Sequence, residues 1–308
     1  MSIKVNYIVL VLLALQINSG KIFAQQRVQF TQYMFNGLVI NPAYAGADEA
    51  LSLTFVHRRQ WAGLDQAPTT QTLSAHSLFY NKQSGVGLTI VNDKIGVHKD
   101  LSMMGNYAYH IPVSSVSTVS LGVSAGFRRR RSDYTSLLST VNPNDPKISS
   151  APIALSTFDV GAGIYFRSER MQLGFSAPGL IPERMEINDS VSVKLSRATY
   201  MFFGKYIINA TDDVQIEPGL LVKMIPEIPF SYDLNFNFIY RRVLTTGLSY
   251  RKAESIDWIL KAQLTEQLQF GYSYDHPIGN LNKFNTSSHE FVVQYLFKYA
   301  AKRTVSPR

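Results

Sequence analysis

The chain lacks the residues and motifs on which most enzyme chemistry depends. None of its 308 residues is cysteine, so a disulfide, a thiolate site and a lipidated N-terminal cysteine are excluded. The GxxxxGK[ST] phosphate loop, the HExxH zinc motif and the GxSxG elbow of serine hydrolases are also missing. Its six histidines are scattered without the spacing of metal ligands. These absences predict a protein that is not an enzyme and has no catalytic, cofactor-binding or metal-binding residues.

Long hydrophobic runs are scarce as well, apart from one at the N-terminus. Lys4 precedes an apolar core at Val5–Ile17, and the small residue Ala24 follows it, as in a secretory signal peptide. This core holds about a dozen apolar residues, fewer than the about 17 to 25 needed to cross a bilayer. We therefore expect residues 1–24 to be a cleaved signal peptide on the Sec pathway. No later run is long enough for a transmembrane helix, so a water-soluble exported protein is the first alternative.

The mature chain shows instead an alternation of apolar with polar or small residues. In the stretch 119–128, Val, Leu, Ala and Phe alternate with Ser, Gly and Arg. The same period of two recurs at 158–167, 230–241 and 268–275. Strands of a membrane barrel alternate in this way over about ten residues each, whereas a helix requires apolar residues at spacings of three and four. The pattern predicts strands with one face toward lipid.

Fourteen segments carry this pattern, with twelve and sixteen as alternatives if two neighbours are miscounted. An even number is expected when both ends of a bacterial barrel lie in the periplasm. The segments are 50–61, 68–79, 84–93, 100–111, 116–129, 157–167, 170–177, 194–207, 213–224, 229–240, 243–251, 255–264, 266–275 and 287–299.

The connections between these segments alternate in length. Those after even segments are tight, such as 80–83 and 209–212, and the long ones, such as 130–156, follow odd segments. Outer-membrane barrels have short periplasmic turns and long external loops, and a β-sandwich has no such requirement. Seventeen tyrosines and eighteen phenylalanines fit the aromatic girdles of such barrels. We predict an all-β fold, a transmembrane outer-membrane β-barrel at residues 50–299, followed by a basic tail at 300–308.

The segment ahead of the first strand, residues 25–49, breaks the alternation. Its stretch QFTQYMFNGLVINPAYAG is apolar and ends in a turn at Asn-Pro and Gly. Such a segment should either fold into the lumen as a plug or pack against a partner. The plug is favoured, because side chains alone fill a fourteen-stranded barrel poorly. Candidate plug or partner-binding residues are Tyr33, Phe35, Asn41, Pro42, Tyr44 and Gly46.

Basic residues form a second candidate site. The run Arg128–Arg131 ends the fifth segment and begins the longest loop, so it is expected at the outer rim. Guanidinium groups bind phosphates and carboxylates in two-point contacts, which suits lipopolysaccharide or an acidic partner. The net charge of +8 is compatible with such contacts and equally with an ordinary solvated surface. The candidate rim residues are Arg58, Arg59, Trp61, Arg128, Arg129, Arg130 and Arg131.

Several blocks of the sequence resemble a known family. QFTQYMFNGLVINPAYAG, HRRQWAGLDQAPTTQTLSAHS, GVGLTIVNDKIG and EPGLLVKMIPEIPFSYDLNFNF resemble the PorP/SprF family of type IX secretion system membrane proteins of the Bacteroidota. The resemblance continues through GLSYRKAESIDWILKAQLTEQLQFGYSYDHPIGNLNKFNTSSHEFVVQY. It implies an integral outer-membrane barrel similar to the fatty-acid-transporter type, without a catalytic residue. The implied partners are periplasmic type IX components and the C-terminal signal domain of a secreted adhesin, with no nucleic acid.

Three functional hypotheses follow. The leading one is a non-enzymatic barrel that binds partner proteins and supports secretion or surface anchoring of adhesins, including those of gliding motility. The alternative is a channel for small hydrophobic molecules with the N-terminal segment as a hatch. A passive barrel that links the outer membrane to the periplasmic machine is the third.

Overall fold

The protein is described here by a computed structural model, which covers residues 28–80, 83–134, 152–181, 184–188, 191–194, 198–226, 228–278 and 286–297. The expected signal peptide and the basic tail lie outside these residues. Three short 3-10 helices, Tyr33–Phe35, Gly37–Val39 and Pro42–Tyr44, precede the strands. The strands are β1 (Leu51–Arg59), β2 (Thr69–Leu78), β3 (Ser84–Ile95), β4 (His98–Pro112), β5 (Thr118–Ser132), β6 (Ile153–Arg167), β7 (Met171–Ala177), β8 (Arg184–Asn188), β9 (Val191–Lys194), β10 (Tyr200–Tyr206), β11 (Ile208–Asn209), β12 (Val214–Met224), β13 (Ser231–Tyr240), β14 (Leu244–Arg251), β15 (Ser255–Gln263), β16 (Leu268–Pro277) and β17 (Ser288–Phe297).

The strands form one antiparallel sheet that closes on itself. From β1 to β7 and from β12 to β17 each strand pairs with its neighbour in sequence, and β1 pairs with β17 from Leu51↔Phe297 to Arg59↔His289. β10 and the two-residue β11 both pair with β12, so together they make one strand of the wall. β10 also pairs with β7, while β8 and β9 form a separate hairpin. The result is a closed barrel of fourteen wall strands, which confirms the predicted fold class.

The alternation in the sequence decides which face each residue takes. On β5 the apolar Leu121 and Val123 are exposed on the outside, while Ser120 and Ser124 are buried inside. An apolar outer face and a polar inner face are what a lipid-embedded barrel requires. In the described part of the chain, no helix has the length and apolar character needed to cross a membrane.

The height of the wall varies around the barrel. β4, β5 and β6 have 15 residues each, whereas β7 and β10 have only 7. The predicted start of the sixth strand at 157 and end of the fifth at 129 are both wrong. The backbones of these two strands pair as far as Ser132 and Ile153, so both strands extend beyond the residues that show hydrophobic alternation.

The region between β7 and β10 also differs from the prediction. The predicted eighth strand began at residue 194, but β10 begins at Tyr200, and Lys194 ends β9. The hairpin β8–β9 lies where a plain loop was predicted. The sequence did not reveal it because its strands, of 5 and 4 residues, are too short to show a reliable period.

The two ends of the barrel are unequal. At one end the connections are all short: 79–83, 113–117, 168–170, 210–213, 241–243 and 264–267. The opposite end carries 60–68, 96–97, 133–152, 178–199, 225–230, 252–254 and 278–287, which include all the long ones. We call these the short-turn end and the long-loop end. In outer-membrane barrels they face the periplasm and the exterior respectively, so β1 begins and β17 ends on the periplasmic side.

Candidate functional site

The lumen of the barrel is occupied by the chain that precedes β1, residues 28–50, which we call the luminal segment. Its groups form hydrogen bonds with inward-facing residues of strands around the whole wall. The bonds include Gln32 N to Glu290 of β17, Asn36 Nδ2 to Ser74 of β2, Ser176 Oγ of β7 to Ile40 O, and His110 Nε2 of β4 with Ala45 O. A segment bonded to opposite sides of a closed wall lies inside it.

The luminal segment runs from the long-loop end to the short-turn end. Thr31 bonds with Arg58, at the far end of β1, and with Asp275, near the far end of β16. Ala47 O accepts from Arg167 Nη1, at the short-turn end of β6. The wall strands begin and end at the short-turn end, whereas the luminal segment begins its described course at the long-loop end. Counting strands cannot follow an irregular segment, and this one begins its described course near the outer mouth.

A group of buried charges fixes the segment at the long-loop end. Arg58 is 1% exposed, and its Nη2 lies 2.7 Å from Asp275 Oδ2 while its Nη1 lies 3.2 Å from Glu290 Oε2. Glu290 in turn accepts the backbone N–H groups of Thr31 at 2.9 Å and Gln32 at 2.8 Å. Charge-assisted bonds of this kind are about twice as strong as neutral ones. We call this group the charged latch.

A second buried arginine completes the charged latch. Arg251 Nη2 donates to Thr31 Oγ1 at 3.2 Å, and the guanidinium lies 3.4 Å from Asp233, 3.8 Å from Asp257 and 3.8 Å from Asp275. Burial of so many charges is tolerated only when each is compensated by its neighbours. Loss of either arginine would leave buried carboxylates without a counter-charge.

Glycines of the wall fix the other half of the segment. A Cβ added to Gly122 would collide with the backbone of Ala43, and one added to Gly85 would collide with the carbonyl of Ala45. A Cβ on Gly163 would collide with the side chain of Asn41. In the sequence, Gly122 and Gly163 stand out only as small members of the alternating pattern. We call Gly85, Gly122 and Gly163 the glycine seat, because the segment, with its backbone at the first two and the Asn41 side chain at the third, occupies the space that side chains would take.

Local geometry explains the motif that rests on the glycine seat. Asn41 Oδ1 accepts from Ala43 N at 2.9 Å and Asn41 Nδ2 donates to Ile164 O at 2.9 Å, so one side chain both caps a 3-10 helix and ties it to β6. Pro42 occupies the first helical position, where its ring already holds φ near the helical value. Gly46 has a φ of +83°, a conformation that other residues rarely adopt, and its N–H donates to His76 Nδ1 at 3.1 Å.

The aromatic residues predicted as plug or partner sites also lie in the lumen. Tyr33 is 2% exposed, its hydroxyl accepts from Asn235, and its ring packs edge-on to Phe203. Tyr44 packs edge-on to Tyr165. Phe35 is only partly buried and carries Lys261 Nζ over its ring at 4.1 Å. All three residues contact the inner wall of the barrel.

An acidic residue at the short-turn end of the segment has a shifted pKa. Burial disfavours the charged form of Asp48, but the hydrogen bonds that it accepts from His76, Tyr44 and Ser52 outweigh it. These contacts lower the pKa of Asp48 to about 2. Asp48 Oδ2 lies 3.3 Å from His76 Nε2, and its Oδ1 accepts from the Tyr44 hydroxyl at 2.8 Å. Asp48 is therefore ionised at neutral pH.

The predicted basic rim on β1 does not form a single surface. Arg58 belongs to the charged latch inside the barrel, because its position on the alternating strand points it inward. Its neighbour Arg59 points outward and is exposed. Trp61 follows the strand at a φ of +50°, with its N–H donated to Ser288 Oγ at 3.1 Å. Only Arg59 and Trp61 remain near the rim.

The prediction that Arg128–Arg131 form one basic surface at the outer rim is also wrong. All four residues lie within β5 rather than at the start of a loop. Arg130 Nη2 lies 2.8 Å from Asp100, and Arg128 Nη2 lies 3.6 Å from Asp159, so these two arginines face inward and are paired. Arg129 and Arg131 face outward and are exposed. Alternation along the strand divides the run between the two faces of the wall.

Sequence reasoning missed most of the charged latch. Arg251, Asp275 and Glu290 lie in three different strands and match no local motif. Their inward position on alternating strands was a usable signal, since buried charges on such strands need partners. In the described residues, no group of three or more His, Cys, Asp or Glu side chains is arranged to hold a metal ion.

Comparisons with known proteins extend the resemblance noted in the sequence. Residues 22–295 match the family described as "Type IX secretion system membrane protein PorP/SprF". No curated protein matches the chain.

Solved structures with a similar outline include the CymD monoaromatic hydrocarbon channel, at 10% identity and a TM-score of 0.49 over 86% of this chain and 93% of that one. The Ralstonia pickettii toluene transporter TbuX has 9% identity and a TM-score of 0.47 over 85% and 93%. A Pseudomonas aeruginosa FadL homologue has 9% identity and a TM-score of 0.44 over 81% and 89%.

Proposed function

Because the chain belongs to the PorP/SprF family of type IX secretion system membrane proteins, we propose that it binds exported partner proteins at its long-loop end. Family and fold are those of an outer-membrane component of this secretion system, not of an enzyme. The finer role proposed here is to support secretion or surface anchoring of adhesin-type substrates, including those of gliding motility. The partner would be the C-terminal signal domain of such an adhesin, with periplasmic components of the machine at the short-turn end.

The observation that carries this proposal is the occupied lumen. The luminal segment is held at one end by the charged latch and at the other by the glycine seat. A polypeptide passing through the barrel would have to displace both. The segment would thus act as a plug, and the barrel would serve its clients by binding them at its surface.

The outer rim supplies the groups for such binding. Arg59, Arg129 and Arg131 point outward at the long-loop end and are exposed. Their guanidinium groups suit carboxylates of an acidic protein surface or phosphates of lipopolysaccharide. Arg131 already lies 3.8 Å from Asp133, a surface pair of the weak kind that a stronger ligand replaces easily.

A channel for small hydrophobic molecules is the alternative, with the luminal segment as a movable hatch. It would require the segment to leave the glycine seat, where backbone packs on backbone and removal would leave a cavity. Conductance in planar bilayers that rises with an added hydrophobic ligand would favour this alternative.

Gene deletion with complementation tests the proposal. Deletion is expected to prevent normal surface display of at least one adhesin, and the wild-type barrel should restore it. A barrel with Arg129→Glu and Arg131→Glu should fail, while the matched Arg129→Lys and Arg131→Lys barrel should restore display, because charge is kept. Normal display in the deletion strain would refute the function. Equal behaviour of the two double variants would refute docking at these arginines.

A further inference from the structure

Three basic residues lie side by side on the outer face of the barrel, at its long-loop end. In the register of β3, β4 and β5, Lys94 is opposite Lys99, and Lys99 is opposite Arg131. All three are exposed and occupy outward positions of their strands. Residues directly opposite each other on neighbouring strands have Cβ atoms about 4.5 to 5.5 Å apart, and like charges in such pairs repel. We call Lys94, Lys99 and Arg131 the cationic row.

The acidic residues of the same strand ends face the lumen. Asp93 and Asp100 are the sequence neighbours of the two lysines, so the alternation of a strand turns them inward. Asp93 Oδ1 accepts from Thr70 Oγ1 at 2.6 Å, and Asp100 Oδ2 accepts from Arg130 Nη2 at 2.8 Å. The lysines are therefore on the outer face of these two strands, and the carboxylates are on the inner face.

Protein groups near the cationic row do not neutralise it. Arg131 Nη2 lies 3.8 Å from Asp133, in a pair whose two side chains are both exposed. The two lysines of the row have no ion-pair partner in the part of the chain that the structure describes. The connections that follow these strand ends, 96–97 and 133–152, contain two aspartates and one lysine, so they can bring only one net negative charge. The row and its neighbour Arg129 carry four positive charges, which leaves an excess for an anion from outside the chain.

Below the cationic row the outer face becomes apolar. The next outward residues toward the short-turn end, again in register, are Asn92, Leu101 and Arg129. The outward residues after them are all apolar, namely Ile90, Met103 and Phe127. Phe127 is 66% exposed and Met103 is 46% exposed, as expected of side chains that face lipid. The cationic row thus lies two outward positions above a row that is wholly apolar.

This spacing places the cationic row at the level of lipid headgroups. Two outward positions span about 13 Å along a strand, and a strand tilt of about 35 to 45° reduces this to about 10 Å of height. The polar layer of a leaflet extends about 5 to 8 Å beyond the hydrocarbon. Long basic side chains lay their apolar stems on the surface and keep their charges in the polar layer. The charged groups of the row therefore lie at the height of lipid phosphates, and the apolar row lies at the height of acyl chains.

We propose that the cationic row binds the phosphate groups of a phosphorylated glycolipid of the outer leaflet, which in an outer membrane is lipopolysaccharide. The direction of the side chains favours a lipid over a protein. They point sideways from the wall into the leaflet, whereas a protein client would approach the loops from above. Lipid phosphates between Lys94, Lys99 and Arg131 offset the repulsion among three cations in register. The inference goes beyond the proposed function, since lipid binding requires no client.

Binding of diphosphoryl lipid A to the purified full-length barrel tests the proposal. Native mass spectrometry in a nonionic detergent gives the dissociation constants of the wild type and of three double variants. Lys94→Glu with Lys99→Glu should weaken binding at least about tenfold, because each basic residue contributes to attraction of anionic lipid. Lys94→Arg with Lys99→Arg keeps the charge and should bind as the wild type does. Arg241→Glu with Arg242→Glu changes the net charge equally at the short-turn end and should have no effect.

Two results of this comparison would overturn the proposal: equal binding by the wild type and the lysine-to-glutamate barrel, or equal weakening in the two glutamate barrels. Competitors then identify the anion. Dephosphorylated lipid A should bind at least about tenfold more weakly than the diphosphoryl form. Inorganic phosphate at the same concentration should not displace lipid A, because it has no acyl chains to pack on the apolar row. Displacement by inorganic phosphate or by a peptide of glutamates, or full binding of the dephosphorylated lipid, would each contradict a lipid-phosphate site.

The middle cation of the row allows a second measurement. Lys99→Gln removes the charge that faces a cation on each side, so in lipid-free detergent this variant should unfold at a higher temperature than the wild type. Added lipid A should raise the unfolding temperature of the wild type and raise that of Lys99→Gln less. An unfolding temperature of the wild type that does not respond to lipid A would refute the site. No client protein is present in these assays, so their outcome is independent of the adhesin-display result with the arginine variants.

Discussion

The two attachments of the luminal segment differ in their physics. At the charged latch, Arg58 and Arg251 hold Thr31 and Gln32 through Glu290 and Asp275, so the contact depends on ionisation and on exclusion of water. At the glycine seat the segment fits because three side chains are absent. Close packing against glycines involves no titratable group, so the glycine seat should be insensitive to pH and salt. A network of buried charges, by contrast, is destabilised when one of its members is removed. The glycine seat thus fixes the segment sterically, and the charged latch fixes it electrostatically.

The largest expected effect comes from removing the central cation of the charged latch. Arg58→Ala leaves Glu290 and Asp275 buried without that counter-charge, which should lower the free energy of unfolding by about 3 to 5 kcal/mol. Residues near Thr31 should become accessible to a protease added at the outer face, while those on the glycine seat stay protected. Urea unfolding in detergent and limited proteolysis measure both effects. Arg59→Ala, the outward neighbour, should change stability by less than about 0.5 kcal/mol; equal losses in the two variants would mean that the charged latch does not hold the segment.

A somewhat smaller effect is expected at the glycine seat. Gly122→Ala places a Cβ against the backbone of Ala43, which cannot rotate away, and should cost about 3 kcal/mol. The matched control is Gly105→Ala, whose new Cβ meets only the Ala125 carbonyl at an ordinary 3.6 Å. Here protease sensitivity should increase around Ala43 and not around Thr31, in contrast to the latch variant. The same pattern of cleavage in both variants would show that the two attachments are not independent.

The smallest effect is the dependence on pH at Asp48. Its pKa falls from 3.8 to about 2 in the folded protein, so the contribution to stability is complete above about pH 4 and is lost as the pH falls toward 2. The contribution is about 2 kcal/mol. Thermal unfolding between about pH 5 and pH 2 should therefore be less pH-dependent in Asp48→Asn than in the wild type. Identical pH profiles of the two proteins would show that Asp48 does not help to hold the luminal segment at the short-turn end.

The sequence was informative where a property repeats along one strand. The alternation around Leu121 and Val123 predicted both the strand and its lipid-facing side, and the fourteen alternating segments predicted the fourteen strands of the wall. It was misleading where a residue's role depends on a distant strand. Arg58 resembled a rim residue because it ends a strand beside Arg59, yet its partners Asp275 and Glu290 lie more than 200 residues away. Pairing across that distance leaves no local pattern.

The pairing of Arg58 with Glu290 has a consequence for the order in which the barrel is assembled. These two residues are opposite each other in the register of β1 and β17, the seam at which the first and last strands meet. Thr31 and Glu290 are separated by 259 residues, so their bond forms only after the last strand has emerged and joined the first. Contacts between such distant parts of a chain form slowly. Completion of the seam and capture of the luminal segment are therefore one event, and a barrel that has trapped its segment is a barrel whose final strand is in place.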